Sequence, residues 1–98
     1  MEIRKADVVM STAGRDAGEL FFVSELADDI AHIVNGRDRR LEKPKKKKLK
    51  HLQFVERSAD RTDQKLRDGE KVTNSELRRA LAAKVGAKEK GGMENGEG

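Results

Sequence analysis

The sequence predicts a small, mainly β protein: a barrel of about five short strands over residues 1–57, followed by a helix. Three observations carry this expectation. Short runs of aromatic and branched residues alternate with turn signals through the first half of the chain. Beyond Val55 large apolar residues thin out, so the strand texture ends there. Further on, Thr73-Asn74-Ser75-Glu76 spells a helix start.

Taken in order, Asp7-Val8-Val9-Met10 is the first strand, ended by Ser11-Thr12-Ala13-Gly14. Glu19 to Leu26, with Leu20, Phe21, Phe22 and Val23 in succession, is the strongest strand of the chain. Asp28-Asp29 makes a hairpin tip, and Ile30 to Val34 returns as a third strand. Asn35-Gly36 is the pair favoured in a type I′ turn, where both central residues need positive φ. It leads into a short fourth strand around Arg39 to Glu42. A lysine-rich loop follows, and Leu52 to Val55 forms the fifth strand. Five short strands with tight turns fit a small barrel with few free edges.

The segment 58–72 offers Leu66 and little else to bury, and reads equally as a charged linker or an exposed helix supported by Asp63 and Arg67 at i,i+4. Thr73 then opens an amphipathic helix over 73–86, with Leu77, Leu81 and Val85 on one stripe and Gly86 as its stop. A helix this short is marginal alone, so it must dock on its own barrel or on a partner. The tail, 87–98, is rich in glycine, has no apolar cluster and is expected to be disordered.

Composition limits the function. With 98 residues, 41% of them charged and 35% hydrophobic, one small core is all the chain can build. There is no cysteine, which removes disulfides and thiolate metal sites and fits a reducing compartment. Met1 to Asp7 lacks the apolar run of a signal peptide, and nothing later approaches a membrane span. The expectation is a soluble cytoplasmic protein that does not engage membranes. Charge is segregated: Arg37 to His51 holds nine Lys or Arg against two acids, about +7, whereas the whole chain is +4. The rest is therefore mildly acidic, and the asymmetry points to a polyanion-binding patch.

Two features make up that patch. Between the first two strands, Ala13-Gly14-Arg15-Asp16-Ala17-Gly18 has glycines at Gly14 and Gly18 that permit a tight turn and close backbone approach to a phosphate. Alone, such a turn is more often purely structural. Downstream lie Lys43, Pro44, Lys45, Lys46, Lys47, Lys48, Lys50 and His51. Pro44 favours an extended chain, so successive lysines splay to both sides and suit flexible phosphate contact better than a shaped pocket. Arg37, Arg39 and Arg40 extend the patch upstream.

From Val8 through Gly18 to Val23 the chain resembles a KOW motif, the strand, glycine-bearing loop and strand of ribosomal and transcription-elongation proteins. The match is closest to the KOW-containing large-subunit ribosomal proteins of archaea and eukaryotes and to short bacterial relatives. Those share the Ala-Gly-Arg-acid-Ala-Gly run found at Ala13 to Gly18, paired arginines after a Gly turn at Arg39-Arg40, and Lys-His-Leu at Lys50-His51-Leu52. Together these span residues 5 to 55 in the right order. The resemblance implies an SH3-like (KOW-type) barrel that binds RNA, ribosomal RNA first of all, through the turn and the basic segments. It also implies a place on or near the ribosome, in translation, as a permanent component or a transient factor.

The remaining residues suggest no other chemistry. His32 and His51 lack cysteine or clustered carboxylate partners, so no metal site or other cofactor is expected. Phe21, Phe22 and Phe54 are the only aromatic residues, needed for the core rather than for base stacking. No serine sits in a nucleophile elbow and no Gly-rich loop carries Lys-Ser or Lys-Thr, so neither catalysis nor a small-molecule substrate is expected. Two alternatives stay open. One is a protein-interaction module docking a ribosomal or other protein through the barrel or the 73–86 helix. The other is general polyanion binding, because phosphate attraction is blind to the sugar.

Overall fold

The structure, a computed structural model, describes residues 2–97, with side chains described through Val85. Five strands form one antiparallel sheet: β1 (Val8–Ser11), β2 (Leu20–Ala27), β3 (Ile30–Val34), β4 (Lys45–Lys48) and β5 (Leu52–Glu56). The spatial order is β4-β3-β2-β1-β5, so β4 and β5 are the two edges and the sheet is open. Two helices follow, α1 (Arg61–Arg67) and α2 (Asn74–Glu97). Among the described residues no helix is long and apolar enough to cross a membrane.

Alternation along the strands sends neighbouring residues to opposite faces, and here both faces are buried. Val9, Phe21, Val23, Ala31, Ile33 and Leu52 gather on the inner face, with Leu26 and Leu49 against them. Val8, Phe22 and Val34 point the other way and meet Leu66 of α1 and Leu77 and Leu81 of α2. The consecutive pair Phe21-Phe22 therefore serves both cores. In register, Val8 pairs with Phe22 and Phe22 with Val34, while Val9 pairs with Phe21. The β2–β3 register shifts between Val23 and Glu25, and the bulge at Ser24 moves Glu25 to the outer face.

Two turn expectations are corrected. At Asn35-Gly36 only the glycine has positive φ, at 76°, so the pair does not form a type I′ hairpin. Instead the Asn35 side-chain oxygen accepts the backbone N–H groups of Arg37 (2.9 Å) and Arg39 (3.0 Å). The chain thus loops out through residues 35–44, and the fourth strand expected around Arg39 to Glu42 forms at Lys45–Lys48 instead. The lysine run is a strand, not a loop.

Of the two readings for 58–72, the helix is present, but it is not simply exposed. Leu66 and Asp63 of α1 are buried, and Asp63 faces Lys84 of α2 (3.7 Å) rather than Arg67. The helix start at Thr73 is as expected: its hydroxyl accepts the Glu76 N–H (3.1 Å), and Glu76 accepts the Thr73 N–H (3.1 Å). Burying Leu77 and Leu81 against the sheet contributes about 2 kcal/mol each, which anchors a helix that is marginal alone. The range of α2 passes the expected stop at Gly86; one glycine costs about 1 kcal/mol in a helix, too little by itself to end it. The tail expected to be disordered, 87–98, lies outside the residues whose side chains are described.

Candidate nucleic-acid interface

The β1–β2 turn, Thr12 to Glu19, is shaped by two glycines with φ of 85° at Gly14 and 90° at Gly18. Only glycine adopts this region without strain, and it lets the turn fold back so that Gly18 N–H reaches the Ser11 carbonyl at 2.8 Å. Arg15 stands exposed at the tip, and Asp16 beside it turns inward.

Asp16 connects the two basic features that the sequence keeps 30 residues apart. Its Oδ1 accepts from Lys47 Nζ at 2.7 Å and from the Ser11 hydroxyl at 2.7 Å, and its Oδ2 accepts from Lys45 Nζ at 3.0 Å. Lys47 Nζ also donates to the Ala13 carbonyl at 2.6 Å. The side chains of Lys47 and Asp16 are 8% and 10% exposed. Burial alone would raise the Asp16 pKa, but the hydrogen bonds from Lys47, Ser11 and Lys45 outweigh it and hold the carboxyl well below its usual range. The result is a charged clamp that fixes the turn against β4.

Strand alternation divides the lysines. Lys45 and Lys47, opposite Ile33 and Ala31, take the inner face and enter the clamp. Lys46 and Lys48, opposite His32 and Ile30, take the outer face and are exposed. The four lysines expected to act together therefore have two environments. Lys43 and Lys50 are exposed as well, at either side of β4. His51 is half-buried, and its carbonyl accepts the Thr12 N–H at 2.9 Å, tying the β4–β5 connection to the β1–β2 turn.

The arginine loop is held by α2. Asn74 Oδ1 accepts the Leu41 N–H at 2.8 Å, Asn74 Nδ2 donates to Glu42 at 2.7 Å, and Arg78 donates to the Gly36 carbonyl at 2.6 Å. A Cβ added at Gly36 would run into the Asn74 carbonyl, so only glycine fits this contact. The loop exposes Arg37 and Arg40 and leaves Arg39 half-buried. Arg40 pairs with Glu42 at 3.0 Å, and the Glu42 carboxyl falls to about 2, first through the Asn74 amide and its own backbone, then through Arg40. Both side chains are more than half exposed, so this pair is weak and leaves Arg40 available to a stronger anion.

Among the described residues, Arg15, Arg37, Arg39, Lys43, Lys46, Lys48 and Lys50 enter none of the ion pairs found. No group of three His, Cys, Asp or Glu side chains gathers there as metal ligands would. Sequence reasoning missed Asp16 and Ser11, although both stand in or beside the glycine-flanked turn. The signal was an acid placed in a turn whose chain also carries extended lysines, a natural counter-ion. On α2, Leu77 and Leu81 are spent on the protein's own core, leaving Val85 at 39% exposure.

No family model matches the chain, and no curated protein matches it.

Proposed function

We propose that this is an RNA-binding protein of the ribosome or translation apparatus in the cytoplasm, working as a KOW-type, SH3-like module without catalysis. One observation carries the reading: the Asp16 clamp joins the glycine turn to the lysine strand, so that the turn carrying Gly14 and Arg15 is held against Lys45 and Lys47 of β4, beside the exposed Lys46 and Lys48. The resemblance of Ala13 to Gly18, Arg39-Arg40 and Lys50-His51-Leu52 to KOW proteins supports it. The strand order, with the turn between adjacent strands β1 and β2, is compatible with such a module.

The chemistry of recognition is phosphate contact with some direction. Exposed lysines supply affinity that does not depend on sequence, and Arg15, Arg37 and Arg40 supply forked donors that pair with phosphate oxygens. Because the turn is clamped, Arg15 has a fixed position relative to β4, which favours folded RNA over a flexible polyanion. Replacing Arg15 with alanine is expected to leave folding unchanged and to lower the preference for a structured ribosomal RNA fragment over heparin in competition binding. If affinity for both falls equally, or for neither, the turn has no recognition role.

A further inference from the structure

The outward side of the sheet has a charge order that locates the nucleic acid more narrowly. Beyond the area covered by α2, β2 presents Glu25, β3 presents His32 and Ile30, and β4 presents Lys46 and Lys48. Positive charge thus sits only on the last strand, with an acid two strands in and Asp28 and Asp29 exposed at the β2–β3 tip. A phosphate over the middle of this face would meet Glu25, whereas one at the rim meets lysines.

The rim is also a free strand edge. β4 pairs with β3 on one side only, so its other side keeps backbone N–H groups outside the sheet's ladder. Lys46 and Lys48 are two residues apart on an extended chain, about 6.7 Å at the rise of a β-strand. Their long stems let both ammonium groups reach adjacent phosphates of one strand. The clamp on Lys45 and Lys47 keeps β4 extended and in place.

The rings are poorly placed for base stacking at the rim. Phe21 lies in the inner core and Phe22 under the helices, while half-buried Phe54 stands on β5, the opposite edge, with the Arg57 guanidinium 5.4 Å from its ring centre. The groups displayed at the rim recognise backbone, and bases hidden in a duplex cost the complex nothing.

We infer that the phosphodiester backbone of a base-paired RNA segment runs along the free edge of β4, with Lys46 and Lys48 on successive phosphates and Lys45 and Lys47 withheld by Asp16. This rests on the RNA-binding reading above and assigns two phosphate contacts, not four, to the lysine run.

The test uses the full chain and a short RNA duplex. Lys46→Ala/Lys48→Ala is compared with Arg61→Ala/Lys71→Ala, which removes the same charge from exposed positions on the helical side. Two lost contacts should flatten the log–log salt dependence by roughly 1.5 to 2 units for the β4 pair, so that its affinity falls about tenfold less than the parent's between 50 and 200 mM salt. The control pair should change the slope little. The duplex should bind at least as well as one of its strands alone. Equal slope changes in both double variants, or an unchanged slope for the β4 pair, would overturn the edge assignment while RNA binding stands. A marked preference for the single strand overturns it too. Absence of binding to either RNA by the parent defeats the functional reading itself.

Discussion

Replacing Asp16 with alanine removes the one acceptor shared by Lys47, Lys45 and Ser11. The cost follows from which of these can escape to water. Lys45, at 28% exposure, can swing outward, and Ser11 keeps the Ala13 carbonyl at 3.0 Å. Lys47, at 8%, cannot, and is left as a buried ammonium with one carbonyl partner. Breaking a buried pair in this way costs about 3 kcal/mol or somewhat more. A domain of this size has a total stability on the order of 5 to 10 kcal/mol, so the variant should still fold, with Tm lower by about 12 °C or more. Adding Lys47→Met removes the stranded charge while keeping the stem, and should recover most of the loss. The pH dependence has a definite sign. The folded-state pKa of Asp16 lies below its ordinary 3.8, so the clamp is fully present above that value and is lost as pH falls below it. Urea unfolding of parent and variant should therefore differ at neutral pH and converge in acid. An Asp16→Ala protein within about 0.5 kcal/mol of the parent at neutral pH would refute the clamp as an energetic element.

Three further substitutions probe the scaffold. Gly36→Ala combines positive φ with a collision against the Asn74 backbone, and should lose at least 2 kcal/mol or so in urea unfolding. Gly18→Ala meets nothing within 4 Å and should lose only about 1 kcal/mol of backbone strain; similar losses for both would show that the α2 contact at Gly36 is loose. Asp63 is fully buried, neither of its oxygens accepts a hydrogen bond, and its cation, Lys84, lies nearer Glu56 (3.0 Å) and Asp60 (3.2 Å). Burial raises its pKa against the pull of Lys84, so the charged form is disfavoured in the fold and stability from this group is gained as pH falls through the raised folded pKa, fully present below the ordinary 3.8. Asp63→Asn should accordingly hold stability at neutral pH or raise it by up to about 1 kcal/mol, and a loss larger than that in thermal unfolding would mean the Lys84 attraction dominates.

What was legible in the sequence was local. Ile30–Val34 has its expected ends because an apolar, branched run lies between two turn signals. The capping box at Thr73 and Glu76 was readable because both partners sit within one helical turn. Lys45–Lys48 was misread because lysine is a poor strand former by propensity, although a charged strand suits a sheet edge, where lysine discourages edge-to-edge pairing. Asn35-Gly36 misled for a different reason. The pair suits a hairpin by itself, but its geometry is decided by Asn74 and Arg78 on a helix far along the chain. The same holds for Asp16 and Asp63, whose partners Lys47 and Lys84 become visible only once the strands pair and the helices dock. The basic residues were found from composition; their division into clamped and free sets needed the strand register.

On the proposed function, RNA lies against the β1–β2 turn and the edge strand β4. Backbone amide shifts followed by NMR during titration with a structured ribosomal RNA fragment test it most directly. The largest changes are expected at Gly14 to Asp16 and Lys43 to Lys50, with smaller ones over Arg37 to Arg40 and none on the α1 face around Arg61 and Lys65. Changes centred on α1 and the exposed side of α2, with the turn and β4 silent, would contradict it.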